Sequence, residues 1–169
     1  MQRAFFENAK LLSDTLAITP LVYGSLGLEY LTGRNLNARD IDILIPKTFL
    51  TERWSEFKGT LERNGYILID EQEHTFEKGG IPYSYARIEE LTSFAGIPMA
   101  EIATITAANV RFKLLSLQQY LNVYSASAKD GYRLEVREKK DSDKITLIEE
   151  QLKNKQDTVF PPKRIADDR

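Results

Sequence analysis

Two acidic residues in a short apolar strand constrain the fold of this chain more than any other feature. The segment "DIDILIP" alternates Asp40 and Asp42 with isoleucines and ends at a proline. Side chains two residues apart on a strand face the same way, so the carboxylates share one face while Ile41, Ile43 and Ile45 share the other. Neighbouring carboxylates repel each other unless a cation lies between them. The pattern therefore predicts a strand that packs on its isoleucine face and offers a cation site on its aspartate face.

A glycine–serine turn precedes this strand in the chain. The sequence predicts a short strand at Leu21–Tyr23, a turn at Gly24 and Ser25, and a helix over 26–31 that stops near Gly33. Glycine lets a backbone approach a ligand closely, and the start of a helix offers N–H groups and partial positive charge to a phosphate. The Ser25 hydroxyl could add a hydrogen bond. This order of elements would hold a nucleoside triphosphate over two metal ions.

Carboxylate oxygens suit Mg²⁺ or Mn²⁺, which usually also bind phosphate oxygens of a substrate. The same residues also have purely structural explanations. Gly and Ser are common in plain strand-to-helix turns, and the aspartates could form a polar edge in which Asp40 caps a turn. Each motif alone fits its structural explanation. The ordered coincidence of the two favours the metal–phosphate site.

Composition and cysteine content restrict the class of protein. The chain has 169 residues, a net charge of −2 and a pI near 5.6, which argue against a general polyanion-binding surface and give no strong sign of DNA binding. The absence of cysteine excludes disulfides and Cys nucleophiles and fits a reducing compartment. We find no signal-peptide core and no apolar run of the roughly 18 residues that a membrane span needs. We therefore expect a cytoplasmic protein without a membrane partner.

Strand and helix patterns alternate in the first half of the chain, and helical patterns dominate the second. The predicted class is α/β (α+β), a small mixed sheet flanked by helices with a helical C-terminal end. We expect one domain over 1–155 and a loose tail over 156–169. The remaining predicted elements are a helix over 3–16, a helix over 50–64, a strand over 66–70, a hairpin over 74–91 with its turn at 78–80, a helical stripe within 109–127 that includes Phe112 and Tyr120, and a last helix over 141–153 capped by Asp141 or Ser142.

The ordered Gly24-Ser25 turn and Asp40-Ile41-Asp42 strand resemble the nucleotidyltransferase superfamily that includes DNA polymerase beta. The long interval between them, with Gly33-Arg34 near its middle, is closest in spacing to the lincosamide-resistance and abortive-infection branches. The resemblance covers about residues 18–153 in element order, although its specific motif is confined to 23–45. It implies a nucleotidyltransferase-like fold.

The resemblance also implies a reaction and roles for individual residues. A nucleoside monophosphate would pass from an NTP to an acceptor, with Mg²⁺ or Mn²⁺ held by the catalytic Asp40 and Asp42. Gly24 and Ser25 would bind the β- and γ-phosphates, and Lys113 would neutralise charge on the leaving pyrophosphate. Related proteins often carry a lysine in a late helix and a Lys-Asp pair before the last one, positions at which Lys113 and then Lys140-Asp141 fall. The acceptor, whether a small molecule, a protein side chain or an RNA end, and the oligomeric state stay open.

One position departs from the superfamily pattern. The superfamily carries a third carboxylate on a later strand, where this chain has Tyr83 to Ala86. Glu89 shares strand parity with Tyr83, so we predict that Glu89 approaches the aspartates as a catalytic acid, with Glu77 in reserve. The alternative is that Glu89 merely starts the next helix beside Glu90, where the helix dipole favours acids. Without a third acid, the protein would be a catalytically inactive nucleotidyltransferase-like binding protein, or a regulator of toxin–antitoxin type.

Overall fold

A computed structural model describes the backbone of residues 1–129 and 134–159 and the side chains of 1–128 and 141–155. The chain divides into two compact units, Met1–Ser116 and Leu117–Arg169. The single domain expected over 1–155 stays a prediction. Of the expected tail, 156–159 belong to the last helix, and 160–169 lie outside the described residues.

The first unit is built on one mixed sheet. Its elements are α1 (Gln2–Leu16), β1 (Leu21–Tyr23), α2 (Gly24–Thr32), β2 (Ile41–Ile45), α3 (Trp54–Arg63), β3 (Ile67–Asp70), β4 (Thr75–Lys78), β5 (Ile81–Arg87), α4 (Glu90–Ala95), β6 (Ala103–Ala107) and β7 (Val110–Leu114), with short 3-10 helices at Lys47–Leu50 and Met99–Glu101. The described strands lie in the order β3-β4-β5-β2-β1-β7-β6, with β2 parallel to β5, β1 parallel to β7, and the other neighbours antiparallel. The predicted mixed α/β fold class is confirmed.

The main hydrophobic core lies on one face of this sheet. Ile41 and Ile43 of β2 are fully buried there, among Phe5 and Leu12 of α1 and Phe57 of α3. The apolar stripes of α1 and α3 supply this layer, because both helices carry their large apolar residues on one side. The core therefore occupies the isoleucine face of β2, as the alternation of the strand predicts, and Asp42 lies on the opposite face.

Buried tyrosines on β5 strengthen the same core face. Tyr83 lies opposite Ile41 and Tyr85 opposite Ile43. Asn8 of α1 donates from Nδ2 to the hydroxyl of Tyr85 at 2.7 Å. Burial raises the pKa of Tyr83 to about 12 and raises the pKa of Tyr85 well above its usual value.

A two-residue turn connects β4 and β5. Gly79 and Gly80 both have positive φ, 60° and 77°, which is the backbone of a type I′ hairpin turn. The predicted hairpin with its turn at 78–80 is confirmed, although its second strand ends at Arg87 and not at 91.

The helical stripe predicted within 109–127 is wrong in its first part. Val110–Leu114 is strand β7, which pairs with β1 and with the unpredicted strand β6. Its side chains alternate, with Val110 and Phe112 buried and Arg111 exposed. The alternating pattern of a strand, running directly into the periodic pattern of the following helix, produced the error. Lys113 therefore lies on a strand rather than on a late helix.

The second unit consists of α5 (Leu117–Lys129) and α6 (Leu134–Val159), which pack against each other. Nζ of Lys144 lies 5.3 Å from the centre of the Tyr124 ring. Because α6 begins at Leu134, Asp141 and Ser142 lie inside this helix and do not cap it, so the predicted cap is wrong. The side chain of Lys140 lies outside the described part of the chain. No helix in the described ranges has the length and apolar composition of a membrane span.

Candidate nucleotide and metal site

The fold brings the glycine–serine turn and the aspartate strand together at one point. In the antiparallel register of β1 and β2, Tyr23 lies opposite Asp42. The next residue, Gly24, begins α2 with a φ of 61°. A Cβ atom at Gly24 would lie 2.5 Å from Oδ2 of Asp42, closer than real Cβ atoms approach. Glycine thus lets the start of α2 lie directly against the Asp42 carboxylate.

The first turn of α2 provides the groups expected for a phosphate. Gly24, Ser25 and Leu26 are its first residues, and the amides of a first helical turn point outward from the start of the helix. The partial positive charge of a helix start favours an anion there. Ser25 is half-buried in this turn. The Gly24-Ser25 backbone is therefore suited to an anion beside Asp42.

Asp40 lies two residues before Asp42 and is more exposed. It lies immediately before β2, and its side chain is exposed, whereas that of Asp42 is half-buried. Ile41, between them, is fully buried on the core face. The Asp42 carboxylate thus lies on the sheet face opposite the main core, and the exposed Asp40 lies at the start of the same strand.

A hydroxyl occupies the strand position beside Asp42. In the parallel register of β2 and β5, Ser84 lies opposite Asp42, and its Oγ lies 2.9 Å from Oγ1 of Thr75 on β4. The superfamily pattern places its third acid within Tyr83 to Ala86, but the sequence does not single out Ser84. The bulky apolar Tyr83 and Tyr85 could have revealed it, because they mark the core face and leave Ser84 on the aspartate face.

The prediction that Glu89 approaches the aspartates is wrong. Both carboxylate oxygens of Glu89 accept from the Lys47 amide, at 3.2 and 3.0 Å. Lys47 lies beyond the far end of β2, and the stretch from Asp42 to Ile45 alone covers about 10 Å. Glu89 instead precedes α4 as its N-cap residue, which is the alternative that the sequence left open.

Glu77, the reserve candidate, is also separated from the aspartates. Its partner on β5 is Pro82, which shares the face of Ser84, so Glu77 is on the aspartate face. However, β5 lies between β4 and β2, which puts the strands of Glu77 and Asp42 roughly 10 Å apart. The side chains described here contain no group of three or more His, Cys, Asp or Glu residues that could hold a metal ion.

Lys113 is on the aspartate face but not beside the aspartates. Its partner on β1 is Leu21, two residues before Tyr23, the partner of Asp42. Because β1 separates β7 from β2, a further strand spacing lies between Lys113 and the aspartate strand. The predicted contact of Lys113 with a pyrophosphate stays a prediction.

Glu29, a residue of the helix between the two motifs, was given no role by the sequence analysis. Its Oε1 accepts from the amide of Leu36 at 2.8 Å and from the amide of Ala38 at 3.0 Å. Both amides belong to the loop that leads from α2 to Asp40. The available signal was a lone charged residue in the otherwise uncharged segment "GSLGLEYLT".

The donor set fits a divalent cation that arrives with a phosphate. Mg²⁺ is commonly bound by one or two carboxylates together with substrate phosphates rather than by a full protein cage. Asp42 beside a helix start that a Cβ at Gly24 would obstruct, with Asp40 two residues before it, matches that arrangement.

Comparison with known proteins identifies a close relative. The chain is 37% identical over 150 residues to the "Uncharacterized protein YnaI" of Bacillus subtilis (strain 168), a match that covers 89% of this chain and 96% of YnaI. The chain belongs to the YnaI family. No model of a protein family matches it.

Solved structures connect this YnaI family member to a known fold. The crystal structure of ANT(2″)-Ia in complex with adenylyl-2″-tobramycin aligns with a TM-score of 0.61 at 16% identity, covering 94% of this chain and 93% of that one. The solution structure of the antibiotic-resistance factor ANT(2″)-Ia aligns with a TM-score of 0.56 at 14% identity, covering 94% of each chain. ANT(2″)-Ia is an aminoglycoside nucleotidyltransferase, so the predicted nucleotidyltransferase-like fold is confirmed. The predicted lincosamide-resistance or abortive-infection branch stays a prediction.

Proposed function

We propose that this protein is a metal-dependent nucleotidyltransferase that transfers a nucleoside monophosphate from an NTP to an acceptor. The observation that carries the proposal is the contact between Gly24 and Asp42. It unites a helix start suited to phosphate with a carboxylate suited to a cation. The nucleotidyltransferase-like fold of the YnaI family member supports the same conclusion.

Each residue then has a chemical task. Asp40 and Asp42 would hold Mg²⁺ or Mn²⁺, and the amides at Gly24 and Ser25 would bind the β- and γ-phosphates. When bound, the cation supplies charge neutralisation for the transferring phosphoryl group. An acceptor hydroxyl oxygen forms a bond to the α-phosphorus while its proton passes to water, the bond from the α-phosphorus to the bridging oxygen breaks, and pyrophosphate leaves. Lys113 would stabilise the charge on that product.

The acceptor is proposed by analogy with the neighbour. ANT(2″)-Ia was crystallised with adenylyl-2″-tobramycin, an adenylylated antibiotic. ATP as donor and a small hydroxyl-bearing molecule as acceptor are therefore the first pair to test, before a protein side chain or an RNA end. A cytoplasmic location, where NTPs are available, belongs to the same proposal.

A second candidate function follows from Ser84. A hydroxyl acceptor must lose a proton during transfer, and general bases are commonly carboxylates or histidines. The strand position beside Asp42 has no carboxylate, and Glu89 is bonded to Lys47 instead. This arrangement favours a protein that binds Mg²⁺–NTP without transferring the nucleotide, and that would act as a regulator.

One experiment separates the two candidates. The wild type and an Asp40→Asn, Asp42→Asn double variant would be incubated with Mg²⁺ or Mn²⁺, each NTP labelled at the γ-phosphate, and a panel of acceptors. A transferase binds NTP and releases labelled pyrophosphate, and the double variant does neither. Binding without release in the wild type favours the regulator. A wild type that binds no NTP contradicts both candidates.

A further inference from the structure

We infer that Glu29 is a positioning residue that sets the geometry of the metal site through the loop ending at Asp40. The inference rests on the proposed function, because it concerns the same site. Glu29 lies seven and nine residues before the amides that it binds, those of Leu36 and Ala38, and both bonds end on one carboxylate oxygen, at 2.8 and 3.0 Å. Bonds between backbone amides and a carboxylate are among the stronger hydrogen bonds in proteins.

The loop that Glu29 holds has little regular structure of its own. It begins at Gly33, whose φ of 71° ends α2, and its short-range bonds include those from the Arg34 amide to Thr32 and from the Asn37 amide to Asn35. These short-range bonds shape individual turns. Of the two, only the bond from Arg34 to Thr32 reaches a helix, and it does so where the loop begins. Glu29 attaches the middle of the loop to the same helix.

Helix α2 therefore controls both carboxylates. Its first residue, Gly24, lies against Asp42. Glu29, in the second half of the same helix, holds Ala38, two residues before Asp40. A rigid helix that fixes Asp42 at one end and the approach to Asp40 at the other sets the spacing of the two carboxylates. Metal binding depends on such spacing, and residues that orient the ligands commonly affect affinity by 10-fold or more.

The test compares Glu29→Ala, Glu29→Gln and a control, Glu62→Ala. Glutamine keeps an oxygen that can accept both amides, whereas alanine removes it. Glu62 is a half-exposed helical acid whose partner is Lys58 at 4.0 Å, outside the site. For the wild type and each variant, the dissociation constant for Mg²⁺–NTP would be measured by calorimetry well below the melting temperature of the protein. The Mg²⁺ concentration needed for half-maximal NTP binding would be measured as well.

We expect Glu29→Ala to weaken Mg²⁺–NTP binding about 10-fold, which corresponds to about 1.4 kcal/mol. Glu29→Gln should stay within about 3-fold of the wild type, and Glu62→Ala should match it. The Mg²⁺ requirement should rise in the alanine variant, which a general loss of stability would not cause. Equal binding by Glu29→Ala and the wild type overturns the inference and leaves the proposed function standing, as does an equal loss in the alanine and glutamine variants.

A measurement on the wild type covers the case in which the alanine variant does not fold. Amide hydrogen exchange at Leu36 and Ala38 should slow when Mg²⁺–NTP binds, because Glu29 connects the loop to the helix that begins at the site. Unchanged exchange on binding overturns the inference. A wild type that binds no Mg²⁺–NTP overturns the proposed function and this inference together, and is recognised by that missing binding.

Discussion

At the scale of single residues, the backbone of Gly24 decides whether the site can exist. Gly24 has a positive φ and lies close to Asp42, and each of these features by itself calls for glycine. A side chain at this position would strain the backbone and would also clash with Asp42. Ser84 has the opposite kind of effect. Its small hydroxyl lies where a carboxylate would complete a group of three acids, so it limits the chemistry of the site without disturbing the sheet. The effects of Gly24 and Ser84 therefore depend on the presence or absence of one or two side-chain atoms.

Gly24→Ala should destabilise the protein and abolish Mg²⁺–NTP binding. An alanine residue is strained at a positive φ, and its Cβ would also clash with Asp42. We therefore expect a loss of about 1–3 kcal/mol in the free energy of unfolding. Denaturant unfolding and calorimetry measure the two effects. The matched control is Gly79→Ala, because Gly79 has a φ of 60° and nothing within 4 Å of its added Cβ. The control should lose stability but keep binding, and a loss of binding in both variants contradicts the account.

Ser84→Asp should increase the affinity of the protein for Mg²⁺. The new carboxylate would lie opposite Asp42, which raises repulsion without metal and adds a ligand with it. The melting temperature should fall in EDTA and recover with Mg²⁺ by more than in the wild type. Ala86→Asp is the matched control, because Ala86 is exposed on the same face but lies opposite Leu44. A similar Mg²⁺ response in both variants contradicts a site at Asp42.

At the scale of elements, β5 separates the core from the site. Its odd-numbered tyrosines face the main core, while Pro82 and Ser84 face the aspartate side. This register also explains why Glu89 could not be placed from sequence. Strand parity holds only while the strand continues, and β5 ends at Arg87 before Glu89 bonds to Lys47.

The buried tyrosines of β5 should make the protein sensitive to alkali. Tyr83 has a folded-state pKa of about 12, whereas an unfolded tyrosine ionises near pH 10. The unfolded state therefore releases its proton first, so the stabilisation is fully present below pH 10 and is lost as pH rises towards 12. Tyr83→Phe should show a smaller loss of melting temperature between pH 9 and pH 12, each variant being compared with itself at pH 8. An unchanged slope contradicts the assignment.

At the scale of the whole molecule, sequence predicted what depends on local pattern. The β2 alternation and the Gly79-Gly80 hairpin are each encoded within a few residues, and the structure has them at the predicted positions. Gly24 and Ser25, which the sequence predicts as a turn before the helix, are instead the first two residues of α2. The hydrogen bonds from Leu36 and Ala38 to Glu29 have no such local signal, because they depend on how the loop folds back onto α2. Pairings between distant strands were likewise beyond local patterns.

The overall charge bears on the acceptor. With a net charge of −2, the protein has little attraction for long polyanions, so we expect binding to random-sequence RNA weaker than about 0.1 mM at physiological salt. Fluorescence anisotropy with a labelled oligonucleotide measures this. Micromolar binding that weakens steeply with salt would contradict the preference for a small acceptor.

The most direct test of the central claim is a crystal structure with Mg²⁺ and a non-hydrolysable NTP analogue. The account predicts a metal ion at about 2.0–2.1 Å from a carboxylate oxygen of Asp42, with Asp40 as a further ligand. It also predicts a phosphate within hydrogen-bond distance of the Gly24 or Ser25 amide. A nucleotide bound elsewhere, or none at saturating concentration, contradicts the claim that these residues form a nucleotide and metal site.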